Sequence, residues 1–291
     1  VSTLRSPIQW FGGKGMMLGN LLPLIPPHDT YVEVFGGGAS LLFAKSPSSA
    51  EAYNDLNSGL VNLFRVLRDP EKFQRFQHIA SLTLYSREEY HECRNTWATC
   101  EDEVEKARRF FVVARQSFGG RFGAGWGFAV EKDASRSIAG PWASTVDGLK
   151  IIHQRLRMVQ VEHSDFRTLL ARYDRPETFF YVDPPYVADT RKAGGYAHEM
   201  SLDDHADLVR LLLGLQGKAM LSGYAHPLYD PLEAAGWVRK DFAVSCRAAG
   251  RTKGTGIQGE GAATRMQPRT ESVWLSPGCE QQQSLFGEGL E

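Results

Sequence analysis

Cysteine is scarce: the 291 residues hold four, Cys93, Cys100, Cys246 and Cys279, with no C-x-x-C pair and no histidine at zinc spacing. That excludes a disulfide framework and the common structural zinc sites, and free thiols suit a reducing cytoplasm. His91 beside Cys93 falls short of a ligand set, so no metal is expected. Long apolar runs are missing too, since the stretch around 211–213 is far below the roughly 18 residues that span a bilayer. After Arg5 the chain runs into Pro7, Gln9 and a glycine pair instead of an apolar signal segment. The expectation is a cytoplasmic protein with no membrane attachment. Neither sign of charge is in excess, Lys+Arg numbering 33 and Asp+Glu 34. A polyanionic partner would have to be held by a local patch. With 42% hydrophobic residues the chain is no disordered or collagen-like polymer, and it has the material for one large domain.

What is present is an alternation. Short runs rich in Val, Tyr and Phe alternate with amphipathic, helix-length segments, the pattern of an α/β sheet protein. Strands are expected at 31–35, 51–54, 159–163, 179–183, 219–222, 238–244 and 271–275. Helices are clearest at 57–68 and 202–213, the latter with Ser201 as N-cap and Asp203 and Asp204 in the first turn.

From about 69 to 152 the alternation stops, and the segment turns helical, charged and then glycine-rich. It reads as an insertion with a separate task. Between 106 and 136 seven basic residues, Lys106, Arg108, Arg109, Arg115, Arg121, Lys132 and Arg136, face only Glu131 and Asp133. In the middle, residues 117–128 run from Ser117 through glycines that break regular structure and aromatics, Trp126 among them, that stay available to stack. A second basic, glycine-rich loop at 246–269 carries Arg247, Arg251, Lys253, Arg265 and Arg269 against Glu260. Residues 280–291 look like a flexible tail.

Two motifs carry chemistry. Asp183-Pro184-Pro185-Tyr186 closes the apolar run 178–182, and two prolines cannot continue a strand ladder, so the chain leaves the sheet there between a carboxylate and an aromatic ring. In an open sheet that end of a strand is where ligands bind. The second, residues 31–40, is a strand feeding the turn Gly36-Gly37-Gly38 ahead of a helix, where glycines permit positive φ and close backbone approach. It matches neither the dinucleotide fingerprint nor the Walker pattern. About twenty residues on, Asp55 stands where an α/β nucleoside site places a carboxylate on ribose hydroxyls, with N-capping of the next helix as the competing role.

Taken in order, residues 7–15, 33–40, 53–57, 164–166 and 183–186, with the run 220–223 and the closing strand 270–275, resemble the Dam-type DNA adenine methyltransferases of the alpha group. The resemblance spans nearly the whole chain. It implies a Rossmann-like, S-adenosylmethionine-dependent methyltransferase sheet over 1–68 and 153–291, with 69–152 as a mostly helical target-recognition insertion. It implies S-adenosylmethionine contacts from Trp10, Lys14, Asp55 and Asp183, the pocket being completed by Glu33, Phe35, Gly36, Gly37, Gly38, Asp165 and Phe166, and S-adenosylhomocysteine as product. Double-stranded DNA would be held by Arg115, Ser117, Arg121, Trp126, Lys132, Arg136, Arg251 and Lys253. The turn departs from the family's E-P-F-x-G-x-G, with Val34 at the proline and Ala39 at the last glycine. The insertion also lacks the asparagine-rich hairpin of members that read GATC, so that target sequence is not carried over.

The residues fit this chemistry on their own account. An exocyclic adenine nitrogen is a poor nucleophile because its lone pair is delocalised into the ring. The Asp183 carboxylate and the Pro184 carbonyl are two acceptors for its two protons, favouring the tetrahedral geometry of transfer over the planar ground state. Pro185 holds the turn, and Tyr186 would stack on the base. A base inside a duplex cannot reach such a pocket, so the nucleotide must be extruded. The lack of a Pro-Cys pair argues against cytosine carbon 5, which needs a thiol nucleophile. RNA, a cytosine amino group or a protein glutamine stay open as acceptors, as does an inactive DNA-binding module. In the tail, Gln282, Ser284, Leu285 and Phe286 resemble the short peptide by which bacterial repair proteins dock on the sliding clamp. The chain itself is expected to be monomeric.

Overall fold

The expected apolar runs become seven strands of one sheet: β1 Thr30–Glu33, β2 Ala50–Asn54, β3 Val159–Glu162, β4 Thr178–Val182, β5 Lys218–Gly223, β6 Val238–Cys246 and β7 Gln267–Leu275. The computed structural model describes residues 4–128, 139–190, 198–246 and 267–279. The strand order is β3-β2-β1-β4-β5-β7-β6, with β1 to β5 parallel and β7 antiparallel to both neighbours. The order reverses between β1 and β4, which makes their carboxyl ends the crevice where an open α/β sheet takes its ligand. The last two strands run further than expected, because the hairpin pairing continues out to Cys246 and Gln267. Backbone bonds extend that ladder beyond its apolar residues. The loop 247–266 at its tip lies outside the described residues.

Among the described residues the helices are α1 Leu18–Leu21, α2 Ser40–Ala44, α3 Ser58–Arg68, α4 Pro70–Ser81, α5 Arg87–Thr96, α6 Glu103–Gln116, α7 Ala139–Asp147, α8 Leu149–Leu156, α9 Phe166–Tyr173, α10 Leu202–Leu213 and α11 Asp230–Ala234. Ser201 caps α10 in a reciprocal capping box with Asp204, as the sequence predicts. For α3 the cap is Asn57, whose side chain accepts from the amides of Gly59 and Leu60. Asp55, the competing candidate, is two residues too early for that role.

Strand alternation decides which residue faces which layer. Tyr31, Tyr53, Phe179 and Tyr181 pack with α2, α3, α4, α6 and α8 in one core, while Val32, Ala52, Phe180 and Val182 pack with α9, α10 and α11 in the other. The described residues of 69–156 therefore build on the first face and share its core. Glu33 pairs in register with Tyr181, so Glu33 and Asp183, two residues past Tyr181, emerge on that same face.

The closest seam on this face is between α3 and α6. A Cβ on Gly59 would stand 2.3 Å from the Phe110 ring and 2.9 Å from Trp97. Gly59→Ala is therefore expected to destabilise by about 1–3 kcal/mol through overpacking, read as a lower urea midpoint. An unchanged midpoint would mean that α6 shifts freely.

Candidate active site

The glycine turn after β1 is fixed by what surrounds it. The Gly36 amide donates to the Asn54 carbonyl at 2.7 Å, and a Cβ there would meet the Tyr53 ring at 2.2 Å, a contact no side chain survives. Gly37 has φ +49 and donates its amide to Asp55 Oδ2 at 2.8 Å, while the Tyr53 hydroxyl donates to its carbonyl. Ala39 also sits in the left-handed region at φ 54, a strain of about 1–2 kcal/mol that a glycine would avoid. Asp55 uses its second oxygen on the Asn57 amide at 2.7 Å. Burial raises its pKa, and the two amides pull the other way.

Glu33, expected in the cofactor pocket, is buried beneath this turn. Its Oε1 accepts from the Tyr31 hydroxyl at 2.8 Å and from the Leu42 amide at 2.7 Å, which ties α2 to β1. Burial pushes its carboxyl up to about 7 against those two donors. From the other side, Arg155 on α8 donates to the Leu42 carbonyl and pairs with Glu51, so α2 is gripped from both ends of one peptide segment.

Phe35 and Phe166 meet at 5.7 Å on the opposite face of the sheet, and Asp165 caps α9 by accepting from the Arg167 amide. Asn54, fully buried, donates to the carbonyls of Val34 and Ser164 and accepts from the Ser164 amide. It clamps the ends of the first three strands together. Trp10 lies over Gly37 and Gly38, whose Cβ positions would fall 3.0 and 3.2 Å from it. Its other neighbours are Phe122 at 5.5 Å and Phe110 at 5.7 Å.

At the end of β4, Asp183 Oδ2 is 2.8 Å from Lys14 Nζ, which also donates to the Gly12 carbonyl at 3.0 Å. Burial raises the Asp183 carboxyl to about 6, against the pull of Lys14. Burial also acts to lower the Lys14 pKa, yet the Asp183 and Glu271 carboxylates outweigh it and the net shift is upward, so this amine is charged. Asp183 Oδ1 is buried and accepts no hydrogen bond from the described residues. A buried acceptor left open at the mouth of a sheet crevice is a place kept for a donor. The ammonium of Lys14 also stands 5.0 Å over the Tyr186 ring, which meets Tyr224 edge-on at 4.6 Å.

The expected cofactor set thus lies at the carboxyl ends of the parallel strands, with Trp10, Lys14, the glycine turn and Asp183 on one face of the sheet and Phe35, Asp165 and Phe166 on the other. Three residues beside it went without a role in the sequence: Asn54, Tyr224 and Glu271. A polar residue ending an apolar strand was the available signal for Asn54. Tyr224 and Glu271 had none.

The residues expected to touch DNA divide. Arg121 is exposed, and Trp126 stacks on Phe128 at 5.9 Å with the Arg87 guanidinium 4.7 Å over its ring. Ser117 instead turns inward, donating to the Val113 carbonyl and accepting from the Gly123 amide. Arg115 bonds Thr145 Oγ1 at 2.7 Å and so fastens α6 to α7. Lys132, Arg136, Arg251 and Lys253 lie outside the described residues, as does the tail with Gln282, Ser284, Leu285 and Phe286.

A sheet whose order reverses between a glycine turn and a D-P-P-Y loop, closed by an antiparallel hairpin, defines the Rossmann-like methyltransferase class. The family model for D12 class N6 adenine-specific DNA methyltransferases matches residues 10–229, and the chain belongs to that family. It is similar to the type II methyltransferase M1.LlaDCHI of Lactococcus lactis subsp. cremoris, 28% identical over 281 residues that cover 90% of this chain and 94% of that one. Similarity extends to the DNA adenine methylases of Salmonella typhimurium, 24% identical over 71% of this chain and 75% of that one, and of Escherichia coli, 23% identical over 72% and 76%. The acceptor that the sequence left open is therefore adenine N6 in DNA, and the chain is an S-adenosylmethionine-dependent enzyme. No helix among the described residues is long and apolar enough to cross a membrane.

Proposed function

We propose that this enzyme methylates adenine within a short duplex sequence, on a nucleotide swung out of the stack, as a cytoplasmic monomer that uses S-adenosylmethionine and no metal. The observation that carries the reading is the open, buried Asp183 Oδ1, next in the chain to the Pro184 carbonyl. Those two acceptors take the two amino protons of the base and draw the nitrogen lone pair out of conjugation. Lys14 keeps Asp183 ionised and in place, and Tyr186 supplies a ring for the base to stack on.

The cofactor fits the residues present. Gly36 packs against the Tyr53 ring too closely for any Cβ and so fixes the turn, Asp55 is an acceptor at the ribose position, and Phe35 with Phe166 offers an apolar wall for a purine. When bound, S-adenosylmethionine supplies an electrophilic methyl group. Glu33 and Asn54 act on it indirectly, by holding α2 and the strand ends.

In this reading residues 69–152 are the target-recognition insertion in a catalytic domain of 1–68 and 153–291. Arg121 and Trp126 lie on its loop, Ser117 supports that loop from within, and Arg115 ties α6 to α7 beside it. Arg121→Ala is expected to weaken DNA binding with a salt dependence shallower by about one counterion. Titrations at several salt concentrations with an unchanged slope would take the phosphate contact away from this loop. Docking of 282–286 on a sliding clamp rests on the sequence resemblance. The test of the whole reading is mass spectrometry of nucleosides from plasmid DNA made with this enzyme in a host that lacks adenine methylation. N6-methyladenine is expected, and its absence would overturn the reading.

A further inference from the structure

Nothing in the D-P-P-Y loop itself says what holds the Tyr186 ring. The holding groups come from the far side of the sheet. The Tyr186 hydroxyl donates to Glu271 Oε2 at 3.3 Å, across 85 residues of sequence, and that oxygen lies 4.0 Å from Lys14 Nζ. Lys14 in turn is 2.8 Å from Asp183. Asp183, Lys14, Glu271 and Tyr186 therefore form a chain of contacts, with Lys14 also over the Tyr186 ring, in which a single buried ammonium faces two carboxylates. Glu271 is paired with Phe242 in the β6–β7 ladder, is only 17% exposed, and lies beyond the residues 10–229 that define the family.

We propose that Glu271 is a positioning residue of the methyl-transfer site: it anchors the Tyr186 ring through the hydroxyl and shares the Lys14 ammonium with Asp183. The inference rests on the adenine-transfer reading above and assigns the closing hairpin a part in it. An edge-on Tyr224 supports the ring from one side and Glu271 fixes its far end, so the stacking face is set before a base arrives. Two carboxylates against one ammonium bias the cluster toward negative charge, which suits an amino nitrogen that becomes cationic as it is methylated. The charged and titratable groups facing Asp183 are Lys14, Glu271, Glu33, Tyr181 and Tyr186. Of these, Glu271 opposes ionisation of Asp183, and Lys14 and the Tyr186 hydroxyl favour it.

The test is the pH dependence of methyl transfer from radiolabelled S-adenosylmethionine to duplex DNA by the full chain and its variants. Glu271→Gln is expected to lower kcat about tenfold through the loosened ring, with little change in the KM for S-adenosylmethionine, and to move the acidic limb to lower pH because a like charge has gone. Glu271→Asp keeps the charge but not the reach, so kcat falls and the limb stays. Tyr186→Phe removes the donor to Glu271, so its kcat falls with the ring unanchored. Loss of order in the hairpin alone would not displace the limb in Glu271→Gln while leaving it in place in Glu271→Asp. A Glu271→Gln enzyme with wild-type kcat, or with an unmoved limb, overturns the proposal. If Glu271→Gln does not fold, Glu271→Asp decides: a lowered kcat with the limb in place supports the proposal, and a wild-type kcat or a displaced limb overturns it. Absence of transfer by the wild type would instead overturn the adenine reading itself.

Discussion

Asp183→Ala is expected to reduce methyl transfer by about a thousandfold or more while leaving the fold in place. The loss is that of a preorganised acceptor aimed at charge that develops only during transfer. The fold survives because two effects oppose each other. An Asp183 carboxyl raised from 3.8 to about 6 costs the folded state about 3 kcal/mol at neutral pH, a cost fully present above the folded pKa and relieved as pH falls toward the unfolded one. Removing the side chain removes that cost but leaves Lys14 with the Gly12 carbonyl, the Tyr186 ring and the more distant Glu271. The denaturation midpoint should therefore stay close to that of the wild type. The same pKa fixes the wild-type profile: kcat/KM is level above about pH 6 and falls tenfold for each unit below it, as the acceptor becomes protonated. Substantial residual activity in Asp183→Ala, or a flat acidic profile in the wild type, would remove this carboxylate from the mechanism.

Lys14→Met should be damaging in a different way. Breaking a buried pair by deleting its cation strands the carboxylate, at a stability cost of about 3 kcal/mol, the low end for such pairs because Asp183 can take up a proton. Without the ammonium the Asp183 pKa rises further, and at neutral pH the acceptor is mostly protonated. Activity is expected to be nearly lost at neutral pH and partly recovered in alkaline buffer, which distinguishes a charge defect from a missing contact. Single-turnover rates across pH measure this. A variant whose acidic limb coincides with the wild type would show that Lys14 serves the site in some other way.

The sheet was legible because its central parallel strands, β1, β2, β4 and β5, are buried on both faces and so are written as apolar runs with little alternative. Only the outer ends of β6 and β7 escaped, where pairing depends on backbone and not on side chains. The site was legible at residues that have no substitutes. Two prolines after an acid, and glycines where a Cβ would collide with Tyr53, announce themselves locally. Choosing between Asp55 and Asn57 as the helix cap needed the phase of the first turn, which composition does not give. Glu271 and Tyr224 act across the sheet, and a lone acid in a closing strand looks like any solvated side chain until its register is known. Ser117 and Arg115 show the converse, since a basic or hydroxyl residue in a charged segment reads as surface although its partners are Val113 and Thr145.

The indole of Trp10 has one face on the glycine turn and its other neighbours in Phe122 and Phe110, while Gly120 of the same loop abuts Gln9 within 3.2 Å of a would-be Cβ. On the proposed reading, the turn assigned to the cofactor and the loop assigned to DNA thus share a wall. Ordering either one spares part of the entropy needed to order the other. Whatever factor a bound cofactor adds to the affinity for DNA, bound DNA must return to the cofactor in equal measure. On that reading, the choice of target and the grip on the methyl donor become, in thermodynamic terms, a single linked quantity.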